Sequence, residues 1–358
     1  MDGSRYEIER WELALGDVEL ALEGSVQKTP AGIKAQLSGG IPLASCQSLL
    51  DSAPEGMLPL LRGMKFTGTF ALDAAVDFDT SDLSKMNVKW DFKNECRVTE
   101  VPLDLAPRRF FSPFRLQVKD VTGRIVSIET GPGTPNWTPY AGITPNMETA
   151  VLITEDGRFF RHDGFDREAI ENSIKMNVKA GRFVRGASTI SMQLAKNLYL
   201  SFDKTLSRKL QEAVLTTLLE QELSKEEMME LYLNVIEYGP GIYGITAAAE
   251  HYFKTTPAAL SLGQALYLAS ILPSPTQHHF TEAGPVSDGW KRYLQRLMGI
   301  AVKIGRISEA EYEAALEDEI QFGVPATGRA GGVFLPETTI LDPANFGDQL
   351  PDTPGEGL

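Results

Sequence analysis

Four short segments of this 358-residue sequence place carboxylates, cations and small polar residues at spacings that could support chemistry. They cover residues 155–164, 186–197, 208–212 and 225–234. A carboxylate that accepts a proton, next to cations that hold an anionic leaving group, is one way to transfer a group to a hydroxyl. The segments therefore indicate a group-transfer site, provided that the fold brings them together.

Glu155 is the candidate general base. The pattern of residues 147–154 predicts a helix capped at Asn146, so the carboxylate lies at the negative end of the helix dipole. That position disfavours ionisation and raises the pKa of the carboxyl, which suits a base that works near neutral pH. The neighbouring Phe159 and Phe160 would exclude water and act in the same direction. The alternative is an ordinary surface glutamate at a helix end.

Glu212 is the second candidate carboxylate. Lys204, Arg208 and Glu212 are four residues apart and share one helix face if the helix begins that early. Two cations next to a carboxylate could clamp a diphosphate and hold Glu212 ionised, although an exposed ladder of ion pairs would have the same spacing. We expect this face to be polar and to lie opposite an apolar stripe. The stripe consists of Leu206, Leu210, Ala213, Val214, Thr217 and Leu218.

Two further segments supply polar groups. Ser188 or Thr189 would cap the next helix, and a helix N-terminus attracts anions, although a plain helix start would have the same pattern. Asn234 is followed by glycines at 239, 241 and 244, which fit either a ligand loop or a turn with tight helix packing.

The four segments, in this order, resemble glycosyltransferase family 51, the peptidoglycan polymerases. They read Glu-Asp-x-x-Phe-x-x-His-x-Gly, Gly-x-Ser-Thr-Ile-x-x-Gln, Arg-Lys-x-x-Glu and Lys-x-x-x-x-Glu-x-Tyr-Leu-Asn, within residues 141–275. The resemblance implies a mainly helical, lysozyme-like domain that polymerises lipid II, an undecaprenyl-diphosphate disaccharide-pentapeptide, into a growing β-1,4 glycan strand. Because an α-linked donor gives a β bond, the reaction inverts and needs a base rather than a nucleophilic carboxylate.

The resemblance also implies a role for each matching residue. Glu155 corresponds to the general base that deprotonates the acceptor 4-hydroxyl, and Glu212 to the second carboxylate, beside the diphosphate. The implied substrate contacts are Ser188, Gln193, Lys196, Lys204, Arg208 and Asn234. The implied supports of the loop around Glu155 are Asp156, Phe159 and His162. No metal ligand set and no required cofactor are implied, although a divalent cation beside the diphosphate is compatible with the site.

The sequence departs from the family at two positions. Met192 stands where many members have glutamine, and Lys204 stands where arginine is common, so bidentate phosphate contact is lost while the charge remains. We expect these changes to affect donor affinity rather than the reaction. Motifs of a transpeptidase are missing, and the SxxK match at residues 201–204 has none of its partner motifs.

The elements around the site predict an α+β chain, with a mainly α glycosyltransferase domain after a β-rich N-terminal domain. Residues 1–105 alternate apolar and polar side chains, as strands do, in a pattern that resembles AsmA-like envelope proteins. Residues 106–140 predict a linker with a hairpin around 120–123. Residues 141–322 predict helices, with capping boxes at Ser224, Ser261 and Ser308. The acidic tail, 323–358, is predicted to be disordered.

The net charge and the two cysteines indicate which binding partners and which cellular compartment fit the sequence. The net charge of −14 argues against nucleic acid as a partner. Residues 158–209 nevertheless hold 11 Lys/Arg and 5 Asp/Glu, a balance of +6, which fits an anionic ligand or solvated helix faces. Cys46 and Cys96 would form a disulfide in an extracytoplasmic protein, and would otherwise be buried free thiols.

Location and partners follow from the resemblance. The sequence has no run of 18 apolar residues and no signal-peptide pattern, which fits either a cytoplasmic protein or one whose anchor has been removed. The resemblance implies the periplasmic face of the bacterial inner membrane, with the anchor not present in this chain. The basic residues 174–185 would contact lipid headgroups at the membrane surface. The N-terminal domain could bind cell-wall synthesis or division proteins. The alternatives are a lysozyme-like lytic enzyme and a non-catalytic envelope scaffold or lipid-binding protein.

Overall fold

A five-stranded antiparallel sheet forms most of the first hundred residues. The computed structural model describes residues 4–82, 85–120, 122–180, 182, 184, 186–201, 203, 205–275 and 288–323. The first seven strands are β1 (Arg5–Leu15), β2 (Val18–Thr29), β3 (Gly32–Ser45), β4 (Lys65–Thr67), β5 (Thr69–Asp79), β6 (Asn87–Asn94) and β7 (Arg97–Glu100). The sheet has the order β1-β2-β3-β5-β6, whereas β4 and β7 pair with each other in a separate ribbon.

The prediction that this part of the chain is β-rich is confirmed, and one of its alternating runs contains a break. The run 66–72 is divided between β4 and β5 at Gly68, where φ is +88°. A Cβ atom there would lie 2.0 Å from the Glu95 carbonyl oxygen, so only glycine fits.

A short helix and a disulfide end the sheet. Helix α1 (Cys46–Asp51) begins after Ser45, whose hydroxyl accepts a hydrogen bond from the Ser48 N–H. Cys46 is bonded to Cys96, with the two Cα atoms 5.6 Å apart, which confirms the bridge over two free thiols. The disulfide thus joins the end of β3 to the start of β7.

The β4–β7 ribbon packs against the helical domain. Leu61, Met64, Val98 and Leu105 lie in the same hydrophobic core as the helices. The core is therefore continuous across the predicted boundary near residue 105, and the five-stranded sheet lies outside it. That boundary stays a prediction.

The remaining strands and helices form the second part of the chain. A hairpin of β8 (Phe114–Lys119) and β9 (Ile125–Thr130) occurs where one was predicted, and β10 (Glu237–Gly239) pairs with β11 (Ile242–Tyr243). The helices are α2 (Pro145–Thr154), α3 (Arg167–Ala180), α4 (Ile190–Tyr199), α5 (Leu206–Glu222), α6 (Lys225–Val235), α7 (Ile245–Phe253), α8 (Leu262–Ile271), α9 (Asp288–Lys303) and α10 (Glu309–Glu317). The α+β class, with a β-rich part before a helical part, is confirmed.

Helix starts follow local capping chemistry. The three predicted capping boxes, at Ser224, Ser261 and Ser308, all form. The predicted cap at Asn146 is wrong: Thr144 caps α2, because Pro145 takes the first helical position and the Thr144 hydroxyl accepts from the Asn146 N–H. Among the described residues, no helix is both long and apolar enough to cross a bilayer. The predicted disordered tail lies outside the described residues from 324 onward.

Candidate active site

Glu155 ends α2, as predicted. Its backbone N–H donates to the Val151 carbonyl at 2.8 Å, and its Oε2 accepts from Gln193 Nε2 at 2.7 Å. Its Oε1 is buried and has no hydrogen-bond partner among the described residues. Burial is the largest cause that raises the pKa of Glu155, and the charge of Asp156 adds to it, while Gln193 and Lys196 oppose it. The predicted direction is confirmed, and burial is its largest cause.

Asp156 joins the Glu155 loop to the next segment of the site. The Ile190 N–H, at the start of α4, donates to Asp156 Oδ2 at 3.0 Å. His162 Nε2 lies 3.0 Å from both Asp156 oxygens, and its Nδ1 accepts from the Gly164 N–H at 3.2 Å. Because Nδ1 is the acceptor, the proton of the neutral imidazole lies on Nε2 and points to the carboxylate. These bonds link the Glu155 loop to α4, and the predicted supporting role of Asp156 and His162 stays a prediction.

Phe159 and Lys225 stabilise the loop that follows Glu155. Phe159 is fully buried, and the Lys225 ammonium lies 4.5 Å from its ring centroid. The same ammonium donates to the His162 carbonyl at 2.7 Å and to Glu220 at 2.8 Å. Phe160, in contrast, is 38% exposed, so only one of the two predicted aromatic residues shields the site. Lys225 opens the fourth motif, but its contact with this loop could not be foreseen from that position.

Gln193 is oriented by Tyr232, which was not among the predicted site residues. The fully buried Tyr232 donates its hydroxyl to Gln193 Oε1 at 3.3 Å, which leaves the Gln193 Nε2 group to donate to Glu155. Tyr232 belongs to the Tyr-Leu-Asn part of the fourth motif, and that motif was the available signal. Met192, the departure from the family, is 7% exposed and precedes Gln193 in α4.

Glu212 lies in a compact cationic cluster. It is 3% exposed and accepts from Arg208 Nη1 at 2.7 Å and from Lys209 Nζ. Lys209 Nζ also lies 3.3 Å from Ser188 Oγ, so the predicted Ser188 sits at the rim of the cluster. Lys209 was not predicted as a site residue, because its position in the Arg-Lys pair gave no reason to prefer it.

The prediction for the faces of α5 is wrong at Leu206, Leu210 and Glu212, but right at Leu218, which is buried. Leu206 and Leu210 of the expected apolar stripe are 67% and 40% exposed, and Glu212 lies on the buried side. The buried residues of the helix are Gln211, Glu212, Leu215, Thr216, Leu218 and Leu219. Polar residues can be buried here because distant partners satisfy them: Gln211 accepts from the Leu60 N–H at 2.9 Å.

Lys196 connects the two carboxylates electrostatically. Desolvation by burial is the largest cause that lowers the pKa of Lys196, although the residue as a whole is exposed. Glu212 and Glu155 raise this pKa, whereas Arg208 and Lys209 lower it. Lys196 thus interacts with both glutamates, so its positive charge can stabilise the negative charge that develops between the base and the leaving group. Lys204, the remaining predicted cation, is outside the described residues.

Asn234 has an internal role in this structure. It is 2% exposed, its Oδ1 accepts from the Thr138 N–H at 2.9 Å, and its Nδ2 donates to the carbonyls of Thr138 and Glu230. These bonds fix the segment before α2 against α6. All of its hydrogen bonds are thus to the protein backbone, and its predicted substrate contact stays a prediction.

The described residues contain no group of three or more His, Cys, Asp or Glu side chains arranged to hold a metal ion. What they do bring together is a carboxylate with a raised pKa, an amide that orients it and a cluster of cations around a second carboxylate. Such a site can remove a proton from a hydroxyl and receive an anionic leaving group.

Comparison with known proteins gives an independent view. Residues 123–298 match the family described as "Transglycosylase". A "Biosynthetic peptidoglycan transglycosylase" of Chromobacterium violaceum is 46% identical over 162 residues, which are 45% of this chain and 71% of the relative. Proteins of the same name from Nitrosospira multiformis and Nitrosomonas eutropha are 49% and 50% identical over 139 residues, covering 39% of this chain and 60% and 57% of theirs.

The chain is also similar to solved structures. Penicillin-Binding Protein 1A from Haemophilus influenzae aligns with a TM-score of 0.29 and 18% identity, over 60% of this chain and 22% of that one.

Proposed function

This chain belongs to the transglycosylase family, and on that premise we propose that it is a peptidoglycan glycosyltransferase that polymerises lipid II. The proposal rests on one combination of features. Glu155 has a buried Oε1 with no hydrogen-bond partner among the described residues, and the same domain holds the cluster of Arg208, Lys209 and Glu212. A base with a raised pKa and a separate cationic cluster are the two parts that transfer from a diphosphate donor requires.

In the proposed reaction, Glu155 takes the proton of the acceptor 4-hydroxyl as that oxygen attacks C1 of the donor sugar. The bond between C1 and the diphosphate oxygen breaks, and undecaprenyl diphosphate leaves with both electrons. Attack from the opposite face inverts the configuration, so no covalent enzyme intermediate forms. Lys196, Arg208 and Lys209 receive the charge that develops on the diphosphate. A divalent cation at the diphosphate stays a prediction.

Glu212 has a different task from Glu155. Because it accepts from both Arg208 and Lys209, it holds the two cations in place before the diphosphate arrives. Without these ion pairs, Arg208 and Lys209 would be uncompensated cations in a half-buried site, which would destabilise the folded protein. Glu212 is thus proposed to balance and position charge.

Apolar side chains near the site support a location at a membrane surface. Ile174 on α3 and Leu206 and Leu210 on α5 are exposed, and α3 also carries Lys175 and Lys179. Exposed aliphatic residues beside lysines suit the boundary between headgroups and acyl chains. We place the enzyme at the periplasmic face of the inner membrane, where its lipid-linked substrate lies. Binding of cell-wall synthesis or division proteins by the N-terminal sheet stays a prediction.

A polymerisation assay tests the proposal. Wild-type protein incubated with labelled lipid II in detergent should give glycan chains on a gel, and Glu155→Gln should give none. Glu226→Gln, at an exposed glutamate in the first turn of α6, is the matched control and should retain activity. No polymer from the folded wild-type protein contradicts the proposal. Release of fragments from purified glycan would instead support the lytic alternative.

A further inference from the structure

One face of the five-stranded sheet is apolar across its whole width. Paired residues of antiparallel strands point to the same face, and successive residues alternate between faces. The pairing therefore places two adjacent rows on one face, called here the apolar face. The rows are Trp11–Leu22–Gly39–Ala74–Trp90 and Ile8–Gly24–Leu37–Val76–Val88.

The opposite face carries the charges of the sheet. Its rows alternate with those of the apolar face and include Ala21–Gly40–Asp73–Asp91 and Glu23–Ser38–Ala75–Lys89. The two apolar rows contain no carboxylate, although the chain has a net charge of −14. This separation is the pattern of a sheet with one solvated face and one covered face.

Most of the apolar face is left uncovered by the described chain; the exception is its β6 edge, where the Arg167 guanidinium of α3 lies 4.2 Å from the ring centroid of Phe92. Of the apolar side chains in these five strands, only Val18 and Ala35 are buried, while Tyr6, Trp11 and Ile33 are 65%, 53% and 44% exposed. The hydrophobic core of the helical domain includes no residue of this sheet. A contiguous exposed apolar patch of this kind marks an interaction surface.

The size of the face indicates what covers it. Rows on either side, such as Leu13–Leu20 and Ile41–Leu72–Phe92, extend the apolar face along the strands. Five strands spaced about 4.8 Å apart, each contributing about eight residues at about 3.4 Å, give the whole sheet face an area on the order of 650 Å². A stable dimer buries roughly 800 Å² per partner, and apolar sheet faces are covered by stacking a second sheet about 10 Å away. We propose that a second copy of this chain packs its apolar face against this one, forming a two-layer sandwich.

The charge pattern favours the same partner. In such a sandwich the acidic side chains of both sheets, such as Glu23 and Asp73, point away from the contact. Two chains that each carry a charge of −14 therefore meet through the part of their surface that is free of carboxylates. The hydrophobic core of the catalytic domain would be left outside the contact, since it includes no residue of the sheet.

The molar mass in solution tests the proposal. Sedimentation equilibrium of the full chain over a wide range of concentrations should approach twice the chain mass of 39.3 kDa. Ala74 and Ala75 provide a matched pair: both are exposed and adjacent on β5, but only Ala74 is on the apolar face. Ala74→Lys should restore the mass of one chain, because an ammonium group would be buried in the contact, and Ala75→Lys should leave the dimer intact.

Two results would overturn the dimer. One is a wild-type mass of 39.3 kDa at every concentration, and the other is equal dissociation by both lysine variants. A monomer that binds lipid vesicles through a surface blocked by Ala74→Lys would give the face to a membrane and also overturn the proposal. Circular dichroism and the intact disulfide, checked by mass spectrometry, verify that each variant is folded.

Discussion

Replacement of Glu155 by glutamine is expected to stabilise the folded chain at neutral pH while it abolishes polymerisation. The pKa of Glu155 is raised in the folded state above its ordinary value of 4.5, first of all by burial. Between the unfolded and folded pKa values the folded chain binds more protons than the unfolded chain, so its stability falls as the pH rises through that window. Glutamine at residue 155 is neutral at every pH, so the variant does not lose stability as the pH rises through this window.

The magnitude follows from the unpartnered oxygen. A buried polar atom without a hydrogen bond costs about 1–3 kcal/mol. Glutamine at residue 155 keeps an oxygen for the Gln193 bond but places an amide group where Oε1 lies, so it recovers only part of the cost. We expect the free energy of unfolding to rise by ~1 kcal/mol at neutral pH, equivalent to a melting temperature about 2 °C higher in a domain of this size.

Denaturation at two pH values measures this effect. At neutral pH the Glu155→Gln protein should unfold at a higher urea concentration than the wild type, and the difference should vanish below pH 4.5, where Glu155 is protonated in both states. Glu212→Gln is the matched comparison with the opposite sign. It leaves Arg208 and Lys209 without their carboxylate, and should cost about 2 kcal/mol after allowance for the partly exposed lysine. A Glu155→Gln protein that is less stable than the wild type at neutral pH would refute the reasoning.

Three further changes test other contacts. Gln193→Leu should move the acidic limb of the pH–rate profile to higher pH, because its bond favours the ionised form of Glu155; Gln221→Leu, which loses its two bonds to the Val98 backbone, should lower the urea midpoint and leave that limb in place. Gly164→Ala should cost about 1–3 kcal/mol, measured by urea denaturation, since φ is +92° and the new Cβ would lie 2.8 Å from a neighbouring methyl group. Loss of the Cys46–Cys96 disulfide should cost about 2–4 kcal/mol, and equal urea midpoints with and without reductant would contradict this.

Local signals in the sequence predicted the parts of the fold that depend on neighbouring residues. A capping box needs only four consecutive residues, and all three that were predicted are present. Glu155 was placed at a helix end for the same reason, since the apolar pattern of α2 stops just before it. The sheet strands follow from alternation alone.

Contacts between distant segments account for what the sequence did not predict. The buried face of α5 includes Gln211 and Glu212, which a helical pattern assigns to the solvent side, because their partners are the Leu60 backbone and two cations. The orientation of Gln193 by Tyr232 spans 39 residues, and neither position alone indicates it. The hydrophobic core that the β4–β7 ribbon shares with the helices likewise could not be predicted from the sequence alone.

The disulfide between Cys46 and Cys96 also has a mechanical consequence. A pull on the five-stranded sheet passes through this covalent link to β7, and from there through the two bonds between Val98 and Gln221 into the C-terminal half of α5. Gln221 is nine residues from Glu212, about 13 Å along the helix. The chain therefore has a continuous link that carries tension from the sheet into the body of the enzyme.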